Sequence, residues 1–410
     1  MMKNSHVFAA LMGVSCLGCS SALAQDSGMG AVLSKPPGIE RDRQVIEVPM
    51  DVRMGKLFID ATVESETRAF IFDTGSPTIL TTDLAKALNL EIMGQNTGRD
   101  ANGREVTMDV AVVETLAIGG LTFHNVPVLI FDPHQLELGA CILDGGVIGS
   151  EILPGSVWTM DTEQGRLTVS APGAATDSRE ASLTARLHDF GYPHTPVVDY
   201  SVGDVRDKAI FDTGSADEVV LFEGVADSKK VRRSIAAGTV VKGRGSDGVS
   251  AGGPGDIRDL HRFTLPEFHL GKDSIGPVRA TTRETAPTLI GAAILDRYAV
   301  TLDYAAGQFI LTDRASPMPR APEPGYSVSV VNGAVTVTRL YEGTLAEQAG
   351  LRLGDQVTSI NGHAFRDLDT GPVCEEALWL ADTFDRTARA ELVVERAGGP
   401  ETIRIPKMVH

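Results

Sequence analysis

"AFIFDTGSPTIL", residues 69 to 80, returns later in the chain as "AIFDTGSADEVV", residues 209 to 220. Each stretch ends a buried-type apolar run on an acid, Asp73 in one and Asp212 in the other, then passes through Thr, Gly and Ser. A carboxylate at the end of a buried strand is costly unless it is hydrogen-bonded or does chemistry. Either motif alone reads as an ordinary Asp-Gly turn; the duplication points to a shared purpose.

The repeat extends outward from the motifs. At an offset of 139, "LFIDATVESETRAFIFDTGS" (57 to 76) lies over "PVVDYSVGDVRDKAIFDTGS" (196 to 215). At an offset of 142, "VIGSEILPGSVWTMDTEQGRLTVS" (147 to 170) lies over "LIGAAILDRYAVTLDYAAGQFILT" (289 to 312). Two anchors in matching order indicate duplicated lobes. Short β-type runs with frequent turn signals dominate to about residue 312, and "TTDLAKALNL" (81 to 90) is a short helix after the first motif. The expected fold is mainly β and two-lobed, with pseudo-two-fold symmetry. Lobe 1 spans residues 43–170, a hydrophilic joint 171–185, and lobe 2 residues 186–312.

Packing about a pseudo-two-fold axis would bring Asp73 and Asp212 together. Like charges in contact resist double ionisation, so such a pair holds one proton over a range of pH. A water between them can lose a proton to the carboxylate while the protonated partner hydrogen-bonds a substrate carbonyl. The neighbours suit this task. Gly75 and Gly214 allow a tight turn, Thr74 and Thr213 can bond across to the opposite loop, and Ser76 and Ser215 can bond the acids themselves.

These residues resemble the aspartic protease family of the pepsin and retropepsin type, whose pattern is D-T/S-G followed, about seventy residues on, by two apolar residues and Gly. Asp73 to Ser76 with "VIG" ending at Gly149, and Asp212 to Ser215 with "LIG" ending at Gly291, complete that pattern twice. The resemblance covers roughly residues 43 to 312. It implies catalysis by Asp73 and Asp212, a polypeptide substrate, no metal and no organic cofactor; a monomer suffices for the pair. Residues 57 to 170 contain no Tyr for the flap of a pepsin-like enzyme, and the expected flap tip "GRDANGREV" (98 to 106) turns at Asn102-Gly103. The lobe therefore resembles the retropepsin branch, with both halves fused in one chain. A catalytically silent peptide-binding scaffold on the same fold is the alternative.

Beyond a Pro-rich connector at 313–324 lies a module expected over 325–408. Its "EGTLAEQAGLRLGDQVTSINGHAF" (342 to 365) resembles the PDZ domains of bacterial envelope proteases. The resemblance implies that a peptide C-terminus adds beside "YSVSVV", its carboxylate received by backbone around Gly325, Tyr326, Ser327 and Val328. The connector would tether this module, raising substrate concentration near the cleft or letting the module gate it.

At the other end, Lys3, an apolar core and the small residues Ala22 and Ala24 read as a signal peptide over 1–24, followed by a lead over 25–42. The protein is thus expected to be exported, periplasmic or secreted, with lipidation of Cys19 a rival reading. No later run of about 18 apolar residues supplies a transmembrane segment. The formal charge of −17 disfavours nucleic acid and anionic membrane as partners. Cys141 and Cys374 remain after cleavage and read as two unpaired buried thiols in different domains. "GRGSDG" (243 to 248) and "GVSAG" (248 to 252) mimic a nucleotide loop and a serine-hydrolase elbow at Ser250, but no helix-forming stretch follows. His188 and His194 are expected on a surface loop.

Overall fold

At the seam between the lobes, Val157–Asp161 pairs antiparallel with Tyr298–Asp303, and Thr159 faces Thr301, its own mate at an offset of 142. Their hydroxyls are 2.8 Å apart, so the pseudo-two-fold axis passes between them. On one side the sheet continues through Arg166–Ser170 to Val45–Pro49. On the other it continues through Gln308–Asp313 to Leu183–His188. That last strand begins inside the segment expected as a joint. It also carries His188, whose ring is hydrogen-bonded to Asp199 at 2.8 Å, so only His194 occupies a loop, bonded to Asp189.

This computed structural model describes residues 27–174, 180–318, 322, 324–365, 368 and 373–408. The expected signal peptide, with Lys3, Cys16, Cys19, Ala22 and Ala24, lies outside the described residues, as do parts of the joint and the connector. Among the described residues no helix is long and apolar enough to cross a membrane.

Each lobe threads its motif the same way. Gly146–Ile148 runs parallel to Glu66–Phe72 and antiparallel to Ile79–Thr81; Thr288–Gly291 runs parallel to Val205–Asp212 and antiparallel to Val219–Phe222. Strands covered on both faces need continuous apolar runs, which is why "AFIF" and "AIF" precede the acids. Phe72 and Phe123 stack on the fully buried Trp158 beneath the first motif. The short helix Thr82–Ala87 starts where expected, its Leu84 N–H capped by the Thr81 hydroxyl.

The C-terminal module forms the expected elements, from Tyr326–Val331 through Gly399–Ile405. Asn361 and Gly362, both at positive φ, turn the chain between Gln356–Ile360 and His363–Ala364. The module is bonded to both lobes, which corrects the expectation of a tethered unit. Ala334–Tyr341 extends lobe 2's sheet by pairing with Val241–Gly245, where Gly243 faces Tyr341 and Gly245 faces Arg339. A Cβ on Gly245 would meet the Thr338 carbonyl oxygen at 2.5 Å; "GRG" is there for backbone approach, not for phosphate. From lobe 1, Glu137 accepts from the N–H groups of Asn332 at 2.9 Å and Gly333 at 2.5 Å.

Cys141 and Cys374 form a disulfide with Cα atoms 5.1 Å apart, which overturns the reading of two free thiols. The short helix Gly139–Ile142 and the helix Val373–Leu378 are brought together by a shared apolar cluster that includes Leu138, Ile142, Val328 and Leu380. Sequence separation concealed this neighbourhood.

Candidate active site

Asp73 and Asp212 are each 1% exposed. Each is oriented by its own turn: the Gly75 N–H donates to Asp73 Oδ1 at 2.9 Å and the Gly214 N–H to Asp212 Oδ1 at 2.8 Å. The threonines then lock the turns together. Thr74 Oγ1 donates to the Phe211 carbonyl at 2.6 Å and accepts from Thr213 N–H at 3.1 Å. Thr213 Oγ1 donates to the Phe72 carbonyl at 2.7 Å and accepts from Thr74 N–H at 3.0 Å. The cross-bonding expected of this pair is present in both directions.

The glycines set how near the acids come. A Cβ on Gly75 would meet Asp212 Cγ at 2.5 Å, and one on Gly214 would meet Asp73 Oδ2 at 2.3 Å. Each carboxyl group therefore packs on the backbone of the opposite turn. Gly149 and Gly291 bring the apolar-Gly strands under the same loops, since a Cβ on Gly149 would meet Ser76 O at 2.4 Å and one on Gly291 would meet Asp217 O at 2.2 Å. The Asp73 N–H donates to the Ile148 carbonyl at 3.0 Å.

The serines depart from expectation. The Ser76 hydroxyl donates to the Pro77 carbonyl at 2.8 Å, and its own carbonyl accepts from Ser150 N–H at 2.8 Å. Ser215 contributes backbone, accepting from Ala292 N–H at 2.7 Å. With Gly N–H groups already on the acids, the first hydroxyl braces the loop instead.

Burial raises the Asp73 carboxyl well above the usual carboxylate range, and the negative charge of Asp212 raises it further, while Lys56 opposes both. Lys56 is 1% exposed and its Nζ donates to the Gly214 carbonyl. Burial lowers its own pKa, against the pull of Asp73, Asp212 and Asp217. Nothing in the motif reading located this lysine, because its repeat mate is Thr195.

The expected flap is a hairpin of Gly94–Arg99 and Glu105–Ile118, and its tip meets a second hairpin from lobe 2, Val249–Ser250 with Gly253–Pro254. Asp100, fully buried, accepts from Asn102 N–H at 3.0 Å and Arg104 N–H at 2.7 Å on one oxygen, and from Gly252 N–H at 2.9 Å on the other. Arg104 pairs with Asp256 at 2.7 Å. Arg283 donates to the Ala101 carbonyl at 2.8 Å, and the charges of Asp212 and Asp100 oppose the lowering of its pKa by burial. Ser250 accepts from the Ala101 N–H at 3.1 Å and is followed by a hairpin. That is the setting of a latch, not of a nucleophile elbow.

In the C-terminal module, Gly325 sits at φ +78°, with its carbonyl accepting from Tyr341 N–H at 2.8 Å. Tyr326 and Val328 point into the module's core while Ser327 lies on the opposite face. Among the described residues no cluster of His, Cys, Asp and Glu has the makings of a metal site.

Residues 59–152 match the family of aspartyl proteases, and residues 336–372 match the PDZ domain family. No curated protein matches the chain. Among solved structures, the aspartic proteinase from Irpex lacteus is similar at 14% identity and a TM-score of 0.41, over 66% of this chain and 98% of that one. The motif turns, the doubled lobe and the C-terminal module thus belong to a chain that joins an aspartyl protease-like domain to a PDZ domain.

Proposed function

We propose that the protein is an exported aspartic endopeptidase whose Asp73 and Asp212 share one proton and activate a water against a peptide bond. The observation that carries the reading is the reciprocal lock of the two motif turns, which holds two buried carboxyl groups against each other's backbone. Asp73, with its raised pKa, is the natural holder of the proton and so the group that hydrogen-bonds the scissile carbonyl. Asp212 then takes the proton from water. The tetrahedral intermediate forms without an enzyme adduct, and the proton on Asp73 is available to the leaving nitrogen. Export is supported by the N-terminal sequence and by the Cys141–Cys374 disulfide, a bond suited to oxidising compartments.

The silent-scaffold alternative draws on Lys56, whose cation beside the pair would favour ionisation of both acids. One experiment separates the two. Asp73→Asn and Asp212→Asn should each abolish hydrolysis of denatured casein while leaving the circular dichroism and melting transition intact. Undiminished hydrolysis in either variant overturns the mechanism, and a folded but inert wild type favours the scaffold.

A further inference from the structure

A cavity of about 690 Å³ lies where the two lobes and the PDZ module meet, within the size range of ligand sites. One wall is Ala216 and Asp217, the residues that directly follow Ser215. Asp217 is near enough to Lys56 to act on it electrostatically, as Asp73 and Asp212 also do. The Asp217 carbonyl also packs on Gly291, the register partner of Asp212, so this wall adjoins the second motif turn, although neither acid lines the cavity itself. Leu136 and Leu138 of lobe 1 and Val249 and Ile257 of lobe 2 supply apolar walls.

Arg262, Arg279 and Arg297 of lobe 2 and Met318 and Pro322 of the connector also border it, and a further wall is the PDZ hairpin. Along Tyr326–Val331 buried and half-buried residues alternate, so that Tyr326, Val328 and Val330 fill the module's core. Alternation sends the serines to the other face, and Ser327, Ser329, Thr336 and Thr338 line the cavity. The hairpin also touches the helix Val373–Leu378, beside which a chain end would add, and Gly325, Tyr326 and Ser327 border the cavity as well. The hairpin is held in place by the pairing with Val241–Gly245, by Glu137 and by the disulfide.

We propose that this cavity binds the segment of the polypeptide substrate flanking the scissile bond on one side, and that the outer face of the PDZ hairpin is a specificity-determining wall of the protease cleft. The proposal rests on the protease reading above. An extended chain advances about 3.3 Å per residue, so residues only a few steps from the cleaved bond would reach the hairpin. Apolar side chains suit the leucine side and small or hydroxylated ones the serine-threonine side. The PDZ module in this arrangement reads substrate near the bond that is cut.

The test uses the full-length protein. A cleavage site is mapped in denatured casein, and a tetradecapeptide and a hexapeptide centred on it are assayed. With Ser329→Trp filling the cavity, the ratio of kcat/KM for the longer peptide to that for the shorter should fall by about tenfold or more; an unchanged ratio overturns the proposal. A second arm does not depend on hydrolysis. Asp212→Asn protein carrying p-benzoylphenylalanine at position 135, an exposed residue that borders the cavity, should photo-crosslink to denatured casein, with the tetradecapeptide competing far better than the hexapeptide. Absence of a crosslink, or equal competition, overturns the cavity assignment. A crosslink from a chain whose wild type cleaves nothing upholds the binding site while sinking the protease reading.

Discussion

Lys56 of the first lobe donates a hydrogen bond to the carbonyl of Gly214 in the second lobe's motif turn. With one proton shared by Asp73 and Asp212, a protonated Lys56 makes the buried cluster neutral overall, which reduces the cost of keeping a charge away from water. The lysine also pulls the Asp73 pKa downward. In Lys56→Met that pull is gone, so Asp73 should bind its proton up to a higher pH. The alkaline limb of the kcat/KM profile, where that proton is lost, is expected to move to higher pH, with activity kept under conditions that deprotonate Asp73 in the wild type. An unmoved limb would show that Lys56 serves the lobe seam alone.

Glu151 follows Gly149 by two residues and is 3% exposed, with one carboxylate oxygen accepting from Thr78 N–H at 2.9 Å. Burial pushes its pKa from 4.5 to about 7. The folded chain therefore binds this proton more tightly than the unfolded one. Its contribution to stability is complete below the unfolded value and is lost as pH rises through about 7. Across that window the loss amounts to about 3 kcal/mol. Glu151→Gln keeps an acceptor for Thr78 and removes the titration. Its melting temperature should exceed that of the wild type near pH 8 and lose that advantage near pH 5, as thermal scans across pH would show. Parallel curves for the two proteins would contradict this account.

What the sequence revealed and concealed divides along the repeat. The threonine lock and the apolar-Gly strands occur twice, so aligning the halves brought them into view. Lys56, Asp100 and Glu151 occur in lobe 1 alone, and a pattern built on duplication carries no trace of them. Ser76 was expected on the acid because hydroxyls commonly orient carboxylates, yet the Gly75 N–H already fills that place. The disulfide was hidden for another reason. Its cysteines are separated by 233 residues, and their meeting depends on how the PDZ module docks, which no local pattern encodes.

Asp100 ties the flap tip to lobe 2 by accepting from the Gly252 N–H and braces the tip itself by accepting from the N–H groups of Asn102 and Arg104. Asp100→Ala removes all three acceptor contacts while sparing the Arg104–Asp256 pair. A buried N–H left without a partner costs about 1–3 kcal/mol, so the joined hairpins should separate more often. Hydrogen exchange is expected to accelerate over 99–104 and 249–254 and to stay unchanged in the central strands Val157–Asp161 and Tyr298–Asp303. A rise in KM for casein peptides should accompany it if the closed tips hold substrate. Unchanged exchange at both hairpins would mean that Asp100 is not the latch.

The Cys141–Cys374 bond joins the first lobe to the PDZ module across 233 residues of sequence. A crosslink across so long a stretch restricts the unfolded chain, and native disulfides typically contribute about 2–4 kcal/mol. The paired strands Val241–Gly245 and Ala334–Tyr341 and the Glu137 contacts remain after the bond is removed. A Cys141→Ser, Cys374→Ser double variant should therefore still fold with the module docked, but melt earlier. Calorimetry should resolve a PDZ transition below that of the two lobes, where the oxidised wild type melts as one unit. If the variant instead retains a single transition at the wild-type temperature, strand pairing alone fixes the module and the disulfide is incidental to its position.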